Sequence, residues 1–111
     1  MQSPDDRAFI YEIEQAISQI EKYIIGLEKG DFAQDKMLQD AVIYQLMIIG
    51  EASSKISKDY LIKHSEIPWK EIIGMRHKLA HDYSSINLDE VWKAAKEDLP
   101  PLKNQIQNLL T

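Results

Sequence analysis

The sequence predicts an all-α fold, an up-and-down bundle of four to five helices that fills one domain over residues 1–111. Three observations lead there. Apolar residues recur at alternating steps of three and four along most of the chain, the period of a helix with one buried face. No stretch alternates β-branched and polar residues at period two, as a half-buried strand would. A chain of 111 residues with only four glycines and no cysteine suits one modest core, without disulfides, thiolate metal sites or cysteine nucleophiles.

The first helix carries Ile10, Ile13, Ile17, Ile20, Ile24 and Leu27 on one face, with Glu12, Glu14, Glu21 and Lys22 between them. Ser3-Pro4-Asp5 is its expected start, a capping side chain before a proline in the first turn, and its expected end is near Gly30. A second helix uses Leu38, Ala41, Val42, Gln45, Ile48, Ile49, Ala52 and Ile56. Its apolar arc widens from Leu46 to Ile49, which predicts the most buried element. Asp59 to Glu66 reads as a short helical or irregular stretch leading to Ile67-Pro68-Trp69, where proline disfavours a helical Ile67 and suits the first turn of a new helix. That helix runs through Ile72, Met75 and Leu79 and is expected to fray from His81 to Ser85. Asn87 caps the last segment, whose apolar positions run from Leu88 and Val91 to Ile106, with a kink or break expected at Pro100-Pro101. Trp69 and Trp92 read as core anchors, and His64 as a surface residue.

The net charge of −5 and a pI near 5.1 argue against a protein that coats nucleic acid with its whole surface. Charge is uneven, however: between Lys55 and His81 stand Lys55, Lys58, Lys63, Lys70, Arg76 and Lys78 against Asp59, Glu66 and Glu71. A local basic face on an acidic body can hold a phosphate chain, although Lys55, Lys58, Lys63 and Lys78 are most simply solvated. The opening MQSPDDRAF lacks the basic-then-apolar order of a secretory signal, and no apolar run approaches the roughly 20 residues of a membrane span. A cytoplasmic protein without membrane association is the expectation.

The chemically dense stretch is residues 74–87, GMRHKLAHDYSSIN. Ile72, Met75 and Leu79 share a core-facing arc, and His77 and His81 form an i, i+4 pair. Arg76 and His81 stand about 140° apart on an ideal helix, so short side chains there could not meet; the long arginine could still reach a phosphate that His81 touches, especially if the helix ends at His81 or a second subunit supplies part of the site, and a dimeric, composite cleft is favoured. Such a set suits RNA cleavage by the neighbouring 2'-hydroxyl. Histidine moves the proton and arginine binds the developing charge, with no metal required. RNA follows because only it carries the internal nucleophile. His77 and His81 could chelate a divalent ion, but there is no H-E-x-x-H arrangement and no identifiable third ligand, so no metal and no cofactor are expected. Glu51, in the most apolar helix, is the expected ion-pair partner of Arg76.

Arg76-His-Lys-Leu-Ala-His81-Asp-Tyr83 resembles the Arg-x4-His-x-Tyr signature of HepT-like ribonuclease toxins in the HEPN superfamily. Ile48-Ile-Gly-Glu-Ala52, Ile67-Pro-Trp69, Ile73-Gly-Met-Arg76, Val91-Trp92 and Asp98-Leu-Pro100 resemble the family's other motifs, in the same order. The resemblance implies a helical homodimer with the motif at its cleft, with Arg76 and His81 catalytic and with His77, Lys78, Tyr83 and Glu51 binding RNA or supporting the site. It implies metal-independent cleavage of RNA and a minimal nucleotidyltransferase as antitoxin, which silences the toxin by adenylylating Tyr83. An adenylyl group there would add a negative phosphate beside Arg76. The chain departs from the family pattern at His77, where asparagine is usual, at Ser84, where an aromatic or apolar residue is common, and at Tyr44, where arginine is frequent. A non-catalytic HEPN module that docks on such a transferase and binds nucleotide is the other reading, disfavoured because Arg76, His81 and Tyr83 are all present.

Overall fold

In the computed structural model, which describes residues 4–81 and 85–111, every regular element is helical. In chain order these are α1 (Pro4–Ile24), α2 (Lys29–Ala33), α3 (Lys36–Ser54), α4 (Lys58–Lys63), α5 (Trp69–His81) and α6 (Leu88–Lys93). A π-helical turn (Ala94–Asp98) then leads into α7 (Leu99–Leu110). α3 lies between α1 and α5, and α7 packs along α1. Ile10, Ile13, Ile17 and Ile20 of α1 share one core with Val42 and Ile49 of α3, Val91 of α6 and Ile106 of α7, all at most 2% exposed. Each such side chain stabilises by roughly 1.5–3 kcal/mol on leaving water.

The helix starts follow the sequence. Asp35 caps α3 through Leu38 N, Ser57 caps α4 through Tyr60 N, and Asn87 caps α6 through the amides of Asp89 and Glu90. Buried Asp6 accepts from the Ser57 amide at 2.8 Å and its hydroxyl at 2.7 Å, which fastens α1 to the cap of α4. Burial, with the Asp6 carboxylate nearby, pushes the Tyr60 phenol above its ordinary pKa. Trp69 and Trp92 are core anchors as expected. The Trp69 indole N–H donates to the His64 carbonyl at 3.0 Å, and the Trp92 ring lies 5.3 Å from that of Phe32.

The expectations for the end of α1 and for His64 need correction. α1 stops at Ile24 and not near Gly30, because Gly26 adopts φ +75°, a left-handed conformation that ends a helix at little cost to glycine; Gly30 belongs to α2. α5 reaches His81, and residues 82–84 of the stretch expected to fray lie outside the described residues. His64 is half-buried, its ring 4.5 Å from that of Tyr60. The irregularity expected at Pro100-Pro101 takes the form of a π-helical turn just before them, with the Leu99 amide donating five residues back to Ala94 O, and the helix resumes without a break. The extra residue of that turn moves the two positions without an amide hydrogen into the first turn of α7, where none is needed.

Candidate active site

α5 can carry a site only where it is held, and α3 is what holds it. Gly50, in the C-terminal third of α3, lies directly under Arg76: a Cβ there would collide with Arg76 Cβ, stand 2.8 Å from its Cγ and 3.2 Å from the Ile72 carbonyl. Glycine inside a helix costs about 1 kcal/mol against alanine, and here it lets the two backbones approach. The next residue completes the seat. Glu51 Oε2 accepts from an Arg76 terminal nitrogen at 2.7 Å, while Lys55 Nζ stands 3.6 Å from the other carboxylate oxygen. Arg76 is thus half-buried on the α3 side of α5, with a side chain fixed in direction before any ligand arrives.

The histidines occupy the other side. His77 and His81 are exposed, their rings 4.4 Å apart and inclined at 48°, and each is the other's only partner among the described residues. No hydrogen bond joins Arg76 to His81. Because α5 remains helical through His81, the separation of about 140° expected for these positions is maintained. Lys78 lies elsewhere again and pairs with Glu90 of α6 at 2.9 Å. The structure therefore brings Glu51, Lys55 and Arg76 into one cluster and His77 with His81 into another. Tyr83, with its neighbours Asp82 and Ser84, lies outside the described residues.

Two surfaces flank α5. A groove of about 540 Å³ runs between α5 and α7, with Leu46, Ile72, Met75 and Leu102 along it, and none of Glu51, Arg76, His77 or His81 lines it. On the opposite surface, Tyr44, Ile48, Glu51 and Lys55 follow one another at steps of four, three and four along the exposed side of α3. Ile48 opens onto a shallow depression of about 280 Å³ shared with Tyr11 and Gln15 of α1, and Tyr11 and Tyr44 are more than half exposed. An apolar strip therefore runs up to the Glu51–Arg76 pair. Among the described residues no group of three or more histidine or acidic side chains is gathered as a metal site.

Such an arrangement can bind an anion at Arg76, whose guanidinium has five donors and spends few of them on Glu51, and can move a proton at His81. The residue that sequence reasoning passed over is Gly50. Its signal was available: a glycine inside the most apolar helix is costly unless another backbone must come close.

The chain is similar to known proteins over most of its length. The model of the family "Ribonuclease HepT-like" matches residues 13–109. A Thermococcus cleftensis protein named "Probable ribonuclease HepT" is 43% identical over 101 residues, covering 91% of this chain and 92% of its own. A Methanocaldococcus jannaschii protein named "Putative RNase" is 36% identical over 107 residues, covering 96% and 98%. No solved structure matches the chain.

Proposed function

The chain belongs to the ribonuclease HepT-like family of the HEPN superfamily, and from that premise we propose that it is the toxin of a toxin–antitoxin pair. In this reading it is an endoribonuclease that cuts RNA without a metal ion, using Arg76 and His81 in a cleft made by two copies of the chain. The observation that carries the reading is the fixed Arg76, seated on Gly50 and oriented by Glu51, with His81 exposed on the other side of the same helix.

The chemistry follows from those two states. The 2'-hydroxyl oxygen of the substrate attacks the adjacent phosphorus, the P–O5' bond breaks, and a 2',3'-cyclic phosphate and a 5'-hydroxyl result. His81 takes the proton from the 2'-hydroxyl while water protonates the leaving 5'-oxygen, or protonates the 5'-oxygen while water takes the 2'-hydroxyl proton. Arg76 binds the non-bridging oxygens, on which negative charge grows, and because Glu51 already holds the guanidinium little reorganisation is needed at that moment. Lys55 extends the positive field along α3, and His77, Lys78 and Tyr83 contact RNA or support the site.

The distance around α5 between Arg76 and His81 is the argument for two copies: each chain offers the phosphate ligand on one side and the proton carrier on the other. The strip of Tyr11, Tyr44 and Ile48 beside Arg76 provides apolar surface for the second chain to cover. The antitoxin in this reading is a minimal nucleotidyltransferase that adenylylates Tyr83 and so sets a phosphate against Arg76.

The test is incubation of total cellular RNA with purified protein in chelator, beside His81→Ala. Fragments ending in 2',3'-cyclic phosphate from wild type alone are the expected result. An inert wild type whose intact mass proves Tyr83 unmodified would overturn the catalytic reading.

A further inference from the structure

We propose that His77 and His81 form a two-toothed site for a borderline divalent transition ion, zinc being the type case, and that filling the site stops RNA cleavage. The second half rests on the role given to His81 above; the first half does not. The site starts from spacing. Residues four apart on a helix stand one above the other on the same face, and α5 is continuous across both positions. The two rings already lie side by side, 4.4 Å between centroids and 48° between planes, and both are exposed. Zinc–imidazole bonds of about 2.0–2.1 Å bring two nitrogens on one tetrahedral ion within roughly 3.4 Å of each other, a separation that small χ rotations of adjacent, solvent-facing rings can reach.

Neither ring gives up a hydrogen bond or ion pair to another described residue, so nothing among the described residues competes with the ion. With no third protein ligand gathered among the described residues, water completes the coordination shell, and binding is reversible rather than structural. Ligand type sets the ion: neutral imidazole suits zinc, copper and nickel, whereas magnesium and calcium prefer oxygen, so the magnesium that accompanies RNA does not compete. The remaining histidine is a poor rival, since its ring is half-buried against Tyr60.

The consequence for chemistry is direct. A metal ion takes the imidazole lone pair with which His81 would accept a proton, so the occupied site cannot act as acid or base. His77 is what makes this possible, since one exposed histidine alone holds an ion far more weakly than a chelating pair. It thereby converts a proton carrier into a metal-sensitive one.

Calorimetric titration of zinc chloride into the chelator-treated, buffer-exchanged full chain is the decisive experiment, run beside thermal melts and RNA cleavage at zero and micromolar zinc. Wild type is expected to bind zinc, to melt higher with it, and to lose about tenfold or more of its cleavage rate, regained on adding chelator. His77→Ala and His81→Ala are each expected to lose the binding heat and the shift in melting, while His64→Ala keeps both. Cleavage by His77→Ala, measured with and without zinc, is expected to give the same rate. Absence of binding by wild type, or undiminished binding by either variant, overturns the site. Binding without inhibition overturns the switch. Zinc binding that requires both histidines, in a protein that cuts no RNA even in chelator, upholds the site while the ribonuclease reading fails.

Discussion

Arg76 and His81 stand on one helix in opposite circumstances. The arginine is half-buried, seated against a glycine that admits its Cβ, and ion-paired to Glu51; the histidine is exposed and, among the described residues, meets only another histidine. The difference matches two kinds of work. A group that stabilises developing charge gains most from being fixed in advance, because reorganisation at the moment of reaction costs rate. A group that moves a proton gains from water access and rotational freedom, since it must exchange its proton between turnovers. In the proposed reading the two sides of α5 supply complementary halves of a site.

That comparison can be broken in graded steps. Arg76→Ala should lower cleavage the most, about 100-fold or more at unchanged fold, the scale of removing one fixed donor from a transition-state anion. Arg76→Lys should recover little, because an ammonium cannot keep a fork on Glu51 and bind phosphate together. Both are read as cleavage rates under saturating RNA, with circular dichroism as the control for folding.

Gly50→Ala comes next. Alanine improves helix propensity by about 1 kcal/mol, but its Cβ meets Arg76 Cβ and Cγ and the Ile72 carbonyl, none of which is the far end of a flexible side chain. Overpacking of this kind costs about 1–3 kcal/mol and should win. Chemical denaturation should show the loss, and cleavage should fall about tenfold as the guanidinium leaves its seat. A variant as stable and active as wild type would show that the close approach of α3 and α5 has no bearing on the site.

Glu51→Gln is a smaller and cleaner change. The pair is about 40% exposed, so solvent and salt screen it and stability should move by less than about 1 kcal/mol. Cleavage should nevertheless drop several-fold, mostly in kcat, if the carboxylate sets the direction of the guanidinium. Lys78→Ala closes the series. Its partner Glu90 is as exposed as it is, and stability should change by less than about 0.5 kcal/mol, with any effect confined to a salt-dependent rise in KM.

Much of this was legible in the sequence, for identifiable reasons. The i, i+3, i+4 spacing of Ile10, Ile13, Ile17 and Ile20 reports burial directly, and Asn87 sits where a capping oxygen is needed, so helices and their starts could be read locally. The Arg76–Glu51 pair was legible too, because a carboxylate in an apolar helix demands a cation. Helix ends and irregularities were harder. Nothing local distinguishes Gly26 from Gly30 as the residue that turns left-handed, and two prolines announce a disruption without announcing that a π turn absorbs it. The burial of His64 depends on Tyr60 and Trp69, whose placement is tertiary. In the site, chemistry is encoded in residue types but convergence is not: the sequence placed Arg76 and His81 in one motif, and the fold leaves them on different sides of α5.

The most direct measurement is therefore subunit complementation. Arg76→Ala and His81→Ala proteins, each inactive alone, are mixed, unfolded, refolded together and assayed on RNA in chelator. If each cleft takes Arg76 from one chain and His81 from the other, half of the dimers are mixed and each holds one intact cleft, so about a quarter of the wild-type rate should return. A refolded mixture that forms mixed dimers and stays inactive would contradict the shared cleft.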